Sequence, residues 1–209
     1  MAMSRGLFFT FEGIDGCGKS TQARLLYKRL ISRRGEDSVV WTREPGGWDG
    51  GEKIRELLLE RGTSHAMSEL FLFMADRCEH ASRVINPALD AGKTVLCERY
   101  TDSTIAYQSW GGGIPLSRIE EMFNWCSFPV PDLTFFIDIG PEAALERVVR
   151  RGRPDFLEKK GASFLERVRE GFVFLSEREP ERIVRLDGGL GIEPLAGEIG
   201  DKAEVLLHR

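Results

Sequence analysis

Leu7-Phe8-Phe9-Thr10-Phe11-Glu12, followed by Gly13-Ile14-Asp15-Gly16-Cys17-Gly18-Lys19-Ser20, decides how the rest of the chain is read. The first part is a short apolar run that predicts a buried strand over Leu7–Phe11. The second part satisfies G-x-x-x-x-G-K-[ST] at every fixed position. Glycines at 13, 16 and 18 allow a loop tight enough for backbone N–H groups to converge on phosphate oxygens. Lys19 carries the cation that reaches the outer phosphates, and Ser20 offers a hydroxyl for a hard divalent cation. Thr21 follows within the same cradle. A helix predicted over Lys19–Arg33 adds its positive N-terminal end. The strand–loop–helix context gives the pattern its meaning, where a glycine turn with an incidental lysine would lack it. Asp15 is either a solvated turn carboxylate or a group facing whatever accepts the phosphate.

Outward from this stretch, short apolar runs alternate with segments of helical period. Strands are predicted at Ser38–Trp41, Thr94–Glu98, Leu133–Ile139 and Ile183–Leu186, with helices between them. This alternation implies an α/β fold: a parallel sheet of about five strands with helices on both faces. Ligands of such sheets sit at the carboxyl ends of the strands. The 209 residues suit one domain, 1–209, with no repeat or linker to divide it. The formal charge of −4 argues against a nucleic-acid-binding surface. No run approaches a membrane span, and Met1–Gly6 shows no signal-peptide pattern. Four scattered cysteines read as reduced thiols of a cytosolic protein.

Three further segments carry chemistry. Ala66–Ala91 is predicted as one long helix, with Leu70, Phe71, Met74, Cys78, Ala81, Ile85 and Ala88 on a single arc extended by Phe73 and Val84. Arg77 falls inside that arc, where an unpaired charge is costly. It is either an ion pair with a carboxylate of a neighbouring element or, with Phe73 one turn away, part of a site for a planar base. In the second segment, Glu98-Arg99-Tyr100 ends an apolar strand. Glu98 there can hold metal-bound water or take a proton, and the planar fork of Arg99 suits an acceptor phosphate. The alternative is an idle Glu98–Arg99 surface pair. Tyr107 and Gln108, just beyond, can line a sugar and base pocket, or belong to a capped helix with a solvated face. In the third segment, a helix over Pro141–Arg150 leads into Arg147, Arg150, Arg151 and Arg153, then Pro154-Asp155. That cluster reads as a lid over phosphates at about 147–160, against a solvated helix end.

Taken in order, these segments resemble bacterial thymidylate kinases. The resemblance is carried by Phe11–Gly16 with its phosphate loop, Thr42–Gly47, Glu69–Arg77, Arg99-Tyr100 with Ser103–Gln108, Pro131–Leu133 with Asp138, and Phe164–Phe172. It implies a P-loop kinase fold with an arginine-rich lid, and transfer of the γ-phosphate of ATP to dTMP, with Mg2+, for DNA-precursor synthesis. It also implies a cytoplasmic homodimer. Position by position, Phe73 stacks on thymine, Arg77 contacts a thymine carbonyl, and Thr104 and Gln108 border the base. Asp15 approaches the sugar 3′-hydroxyl, Tyr107 crowds the place of a ribose 2′-hydroxyl, and Arg99 binds the acceptor phosphate. Arg151 lies along adenine, and Ser20 and Glu98 serve the metal. The family keeps a catalytic arginine either in the phosphate loop or in the lid, and Gly16 with the lid arginines implies the second type. Two positions depart from the pattern. Glu98 stands where Asp is usual, and the usual lid Asp-Arg reads Asp155-Phe156, which makes Arg153 the nearest catalytic candidate. A GTPase is disfavoured by the absence of an Asn-Lys-x-Asp motif. A nucleoside kinase is disfavoured by Arg99, which suits an acceptor already bearing phosphate. A non-catalytic ATP-dependent module would need no acceptor pocket.

Overall fold

The protein is described from a computed structural model, over residues 5–152 and 160–208. Strand β1 (Phe8–Glu12) lies at the centre of an all-parallel five-stranded sheet. The others are β2 (Val39–Arg43), β3 (Thr94–Glu98), β4 (Leu133–Asp138) and β5 (Ile183–Asp187), in the order β2-β3-β1-β4-β5. Phe8 pairs with Val95 on one side, and Phe9 with Leu133 on the other. All five residues of β1 are buried, which explains its unbroken apolar reading, because a central parallel strand is covered on both faces. The full burial of Phe8, Phe9 and Phe11 contributes about 1.5–3 kcal/mol each relative to exposure.

The chain passes from β1 to one side of the sheet through β2 and β3, then crosses to the other side for β4 and β5. The strand order therefore reverses at β1, and the crevice beyond its carboxyl end is where a ligand belongs. Helix α1 (Lys19–Arg34) starts directly from that end, while α2 (Gly51–Glu56) follows β2 and α6 (Leu116–Cys126) precedes β4. The loop between them depends on glycine at two places. Gly18 has φ 102° and caps α1, and Gly16 has φ 85° and lies where an added Cβ would clash with the Ala144 carbonyl. A side chain at 16 would run into that backbone, so the phosphate loop has no room for an arginine there.

Strand and helix positions agree with the sequence expectation to within two residues at each end. The long helix differs in its orientation. Residues Ala66–His80 form α3, which continues through a wider turn at Ala81–Ile85 into α4 (Asn86–Asp90). Phe71 is 54% exposed and Cys78 is exposed as well, so both lie outside the buried face to which the apolar arc assigned them. The buried face instead takes in Glu69, Asp76, Arg77 and His80 beside Leu70, Phe73 and Met74. A count of apolar residues cannot see charged groups buried with their partners, so it centres the arc too far to one side.

Candidate active site

Three carboxyl ends build the site: the loop after β1, the bend after β3, and the segment after β2. Arg99 follows β3 with φ 65°, a left-handed conformation that is uncommon outside glycine and costs backbone energy. The strained bend is pinned by a bond from the Arg99 N–H to the Phe11 carbonyl, 3.0 Å. It turns the Arg99 side chain toward the phosphate loop. Nη2 meets Asp15 Oδ1 at 2.7 Å and the Tyr107 hydroxyl at 3.1 Å, and Nη1 donates to Ser103 Oγ at 3.1 Å and to the Gly13 carbonyl at 3.3 Å. Lys19 Nζ reaches Asp15 Oδ1 from the other side at 3.1 Å, and the Tyr107 hydroxyl donates to Asp15 Oδ2 at 3.1 Å. The Arg99 guanidinium also covers the Tyr107 ring, 4.8 Å from its centroid.

Burial by itself would raise the Asp15 carboxyl, but the charges and hydrogen bonds of Arg99 and Lys19 outweigh it and hold the group well below the usual carboxylate range. Burial pushes the Tyr107 hydroxyl well up, so it remains a donor at neutral pH. Two cations share one carboxylate here, which leaves an excess of positive charge where phosphates would lie. Glu98 takes no part in this cluster, so the idle Glu98–Arg99 pair does not form. Glu98 instead accepts from Ser20 Oγ on one oxygen and from Trp41 Nε1, 3.1 Å, on the other. Ser20 and Glu98 thus bring hard oxygen donors together at the start of α1, a donor set that suits magnesium. The longer Glu side chain is held by Trp41 on β2.

Beyond Arg99, α5 (Thr101–Thr104) and a wide helical turn (Ile105–Gly111) face α3. Arg77 is 1% exposed. Its Nε bonds Glu44 Oε2 at 2.7 Å, Nη1 bonds Thr104 Oγ1 at 2.9 Å, and Nη2 bonds the Tyr100 carbonyl at 2.9 Å. The ion pair with a neighbouring element is therefore present. It uses three of the five guanidinium N–H groups, and one on each terminal nitrogen is left over. Burial works against the charged form of Arg77, but Glu44 more than compensates and the group stays cationic. Phe73 lies one turn before Arg77, and Glu69 one turn before Phe73. Glu69 Oε1 accepts from Gln108 Nε2 at 3.0 Å. Phe73 is thus flanked by two polar rungs, Arg77–Thr104 and Glu69–Gln108.

Several residues that organise the site carried no individual role in the sequence reading. Glu12, fully buried at the end of β1, accepts from the Tyr100 N–H at 2.7 Å, the Ser103 N–H at 3.3 Å and Ser103 Oγ at 2.5 Å, and so anchors the bend that carries Arg99. Burial first, and then the Asp102 charge, push its carboxyl up to about 7. Glu44 joins Arg77 to His80, whose Nδ1 lies 2.9 Å from Glu44 Oε1 and whose Nε2 lies 2.7 Å from Thr42 Oγ1. Asp76 accepts from the Gly46 N–H at 3.1 Å and from Trp48 Nε1 at 2.9 Å, fixing the turn after β2. A charged residue directly after an apolar strand was the available signal for Glu12, as it was for Glu98.

On the donor side, α7 (Pro141–Arg151) packs beside the phosphate loop. Arg147 bonds the Gly188 carbonyl at 3.2 Å and the Gly16 carbonyl at 3.5 Å, tying this helix to the phosphate loop. Among the described residues, Arg150 pairs with Glu146 at 3.8 Å, and both side chains are exposed. Arg153 and the Arg151 side chain lie outside the described residues.

A glycine cradle at a switch point, with Lys19 and Ser20 at the helix start and the Arg99 guanidinium opposite them, defines a P-loop phosphotransferase. A thymidylate kinase family model matches residues 11–199. Thymidylate kinases from an Exiguobacterium species and from Gloeobacter violaceus are 44% and 43% identical, over 94% and 97% of this chain and 93% and 96% of the relatives. The crystal structure of thymidylate kinase from Ehrlichia chaffeensis superposes with a TM-score of 0.81 at 35% identity, covering 96% of this chain and 99% of that one. The chain belongs to the thymidylate kinase family, ATP- and Mg2+-dependent transferases that phosphorylate dTMP.

Proposed function

We propose that this chain, working as one unit over residues 1–209, converts ATP and dTMP to ADP and dTDP, with the acceptor held between Arg99 and Phe73. The observation that carries this reading is the Lys19–Asp15–Arg99–Tyr107 cluster. It joins the donor cradle, through Asp15, to the Arg99 guanidinium and the Tyr107 hydroxyl on the segment after β3. Backbone N–H groups of Gly13–Thr21 and the Lys19 ammonium bind the ATP phosphates. Arg99 clamps the acceptor phosphate, its guanidinium already aimed by Asp15, Ser103 and the Gly13 carbonyl. Asp15 accepts from the sugar 3′-hydroxyl, and Tyr107 closes the space beside it against a ribose 2′-hydroxyl. The base stacks on Phe73, with the free N–H groups of Arg77 toward a ring carbonyl and Thr104 and Gln108 at its border. Catalysis then rests on positioning and on placing positive charge where the transferring group develops negative charge.

Ser20 and Glu98 would hold the magnesium ion, directly or through water. When bound, it supplies positive charge to the donor phosphates. Arg151 packs on adenine, and Arg153 supplies charge to the transition state. The enzyme acts as a homodimer in the cytoplasm. No helix among the described residues is long and apolar enough to cross a membrane.

The test is ADP release against a panel of nucleoside monophosphates and thymidine, with sedimentation for the assembly state. The reading expects dTMP to be the preferred acceptor and thymidine to be inert. Equal use of thymidine would remove the acceptor-phosphate role of Arg99, and a monomer at assay concentration would remove the dimer.

A further inference from the structure

Trp41 and Glu98 stand on one face of the sheet. In the parallel register of β2 and β3, Trp41 lies opposite Leu96 and Arg43 opposite Glu98. Side chains alternate along each strand, so these four share a face, with Trp41 one step diagonal from Glu98. Tyr27 of α1 packs on the Trp41 ring, 5.7 Å between centroids and tilted by 36°, and so fixes the plane of the indole. The two oxygens of Glu98 then have different partners. Oε1 accepts from Trp41 Nε1 at 3.1 Å, and Oε2 accepts from Ser20 Oγ at the start of α1. Arg43, although opposite Glu98 in the register, bonds Glu52 at 3.1 Å instead. Among the described residues no ion pair neutralises Glu98. A neutral indole, which only donates, therefore orients this carboxylate and leaves its charge for a cation.

We infer that Trp41 is a positioning residue that sets the choice of metal: its indole N–H occupies one oxygen of Glu98 and leaves a one-oxygen ligand, which suits magnesium and disfavours calcium. This rests on the proposed Ser20–Glu98 metal site and deepens it. Magnesium is small, demands near-octahedral geometry and keeps several of its waters, so a carboxylate that presents a single oxygen, directly or to a bound water, serves it well. Calcium takes more oxygen ligands in looser geometry and gains from both oxygens of one carboxylate. To be chelated by both oxygens of Glu98 it has to break the bond from Trp41, whereas magnesium does not. Trp41 acts on the cation only through Glu98. The Tyr27 ring beneath the indole keeps that bond from swinging away with the side chain.

The experiment titrates Mn2+ into the ADP-bound enzyme and follows free Mn2+ by electron paramagnetic resonance, with Mg2+ and Ca2+ as competitors and free ADP as the reference. Wild type is compared with Trp41→Phe, which keeps a ring on Tyr27 but has no N–H. Wild type is expected to favour Mg2+ over Ca2+ by more than free ADP does. Trp41→Phe is expected to shift the ratio of the two affinities toward Ca2+ by about fivefold or more, the size of one hydrogen bond, with metal-free ADP affinity unchanged. An unchanged ratio overturns the inference, even if both affinities fall together. If Trp41→Phe does not fold, wild type decides: a ratio equal to that of free ADP overturns the inference, and a stronger preference for Mg2+ supports it. A wild-type enzyme that binds Mn2+ with ADP no better than free ADP does overturns the Ser20–Glu98 metal site itself, and this is visible before any ratio is read.

Discussion

At the residue scale, the proposed chemistry centres on one carboxylate, Asp15, shared by Lys19 and Arg99. Lys19→Ala removes the cation nearest the transferring group, and should lower turnover on the order of a hundredfold or more while leaving the fold intact. Steady-state kinetics beside circular dichroism check this, and near-normal turnover would refute it. Arg99→Ala should weaken dTMP far more than ATP, because Arg99 sits at the end of β3 opposite the Lys19 side of Asp15 and bonds Ser103 and Tyr107 of the segment beyond it. Calorimetric titration of each nucleotide separates the two effects, and equal losses would argue against the clamp. Glu12 makes a prediction of another kind. Its carboxyl rises to about 7 in the folded chain from an ordinary 4.5, so the folded state holds a proton that the unfolded state gives up between those values. This group's stabilising contribution is complete below pH 4.5 and is lost as pH climbs through about 7, on the order of 3 kcal/mol across the window. Glu12→Gln should remove that part of the pH dependence. Denaturant titrations of both proteins at pH 5 and 7.5 measure it, and identical slopes would mean that Glu12 titrates normally.

At the element scale, α3 is bound to the rest of the protein by charge as much as by apolar contact. Glu44 brings together β2, Arg77 and His80 in a pocket where Glu44 and Arg77 side chains are 2% and 1% exposed. Glu44→Ala would leave the Arg77 guanidinium buried without its counter-ion, and should cost about 3–5 kcal/mol of stability. It should also weaken dTMP binding if the same guanidinium makes the proposed base contact. Urea unfolding gives the stability change, and a loss below 1 kcal/mol would mean the pair is solvated in solution. Arg77 thus has both roles that its position allowed, an observed ion pair and a proposed base contact, through different N–H groups. The phosphate loop shows the same dependence between elements. Gly16 lies against Ala144 of α7, and Arg147 of α7 bonds back to the loop, so the phosphate loop and α7 are one packed unit.

At the scale of the whole molecule, the sheet brings together groups far apart in sequence: Asp15, Glu44, Arg77 and Arg99 come from the ends of three adjacent strands and the helix packed over them. Ligand binding should therefore stabilise the entire fold, by about 2.7 kcal/mol at a hundredfold excess over Kd. Thermal unfolding should shift upward with dTMP and with ATP in wild type, and only with ATP in Arg99→Ala. A dTMP-induced shift of full size in that variant would place the acceptor elsewhere.

The phosphate loop, the strand positions and the segments holding Phe73, Arg77, Glu98 and Arg99 were legible in the sequence because each depends on local order. A glycine pattern after an apolar run, or a charge at a strand end, is visible without knowing what it touches. Which groups meet was not legible, because contacts between strand ends depend on the order β2-β3-β1-β4-β5 and not on spacing along the chain. The sequence allowed Glu98 to pair with Arg99, its neighbour. The positive φ at Arg99 sends the two side chains apart, one to Asp15 and the other to Ser20 and Trp41. The buried face of α3 was misjudged at Phe71 and Cys78 for a related reason. Its charged members, Glu69, Asp76, Arg77 and His80, are stable inside only because partners from other elements reach them, and a pattern of hydrophobicity along one helix carries no information about those partners.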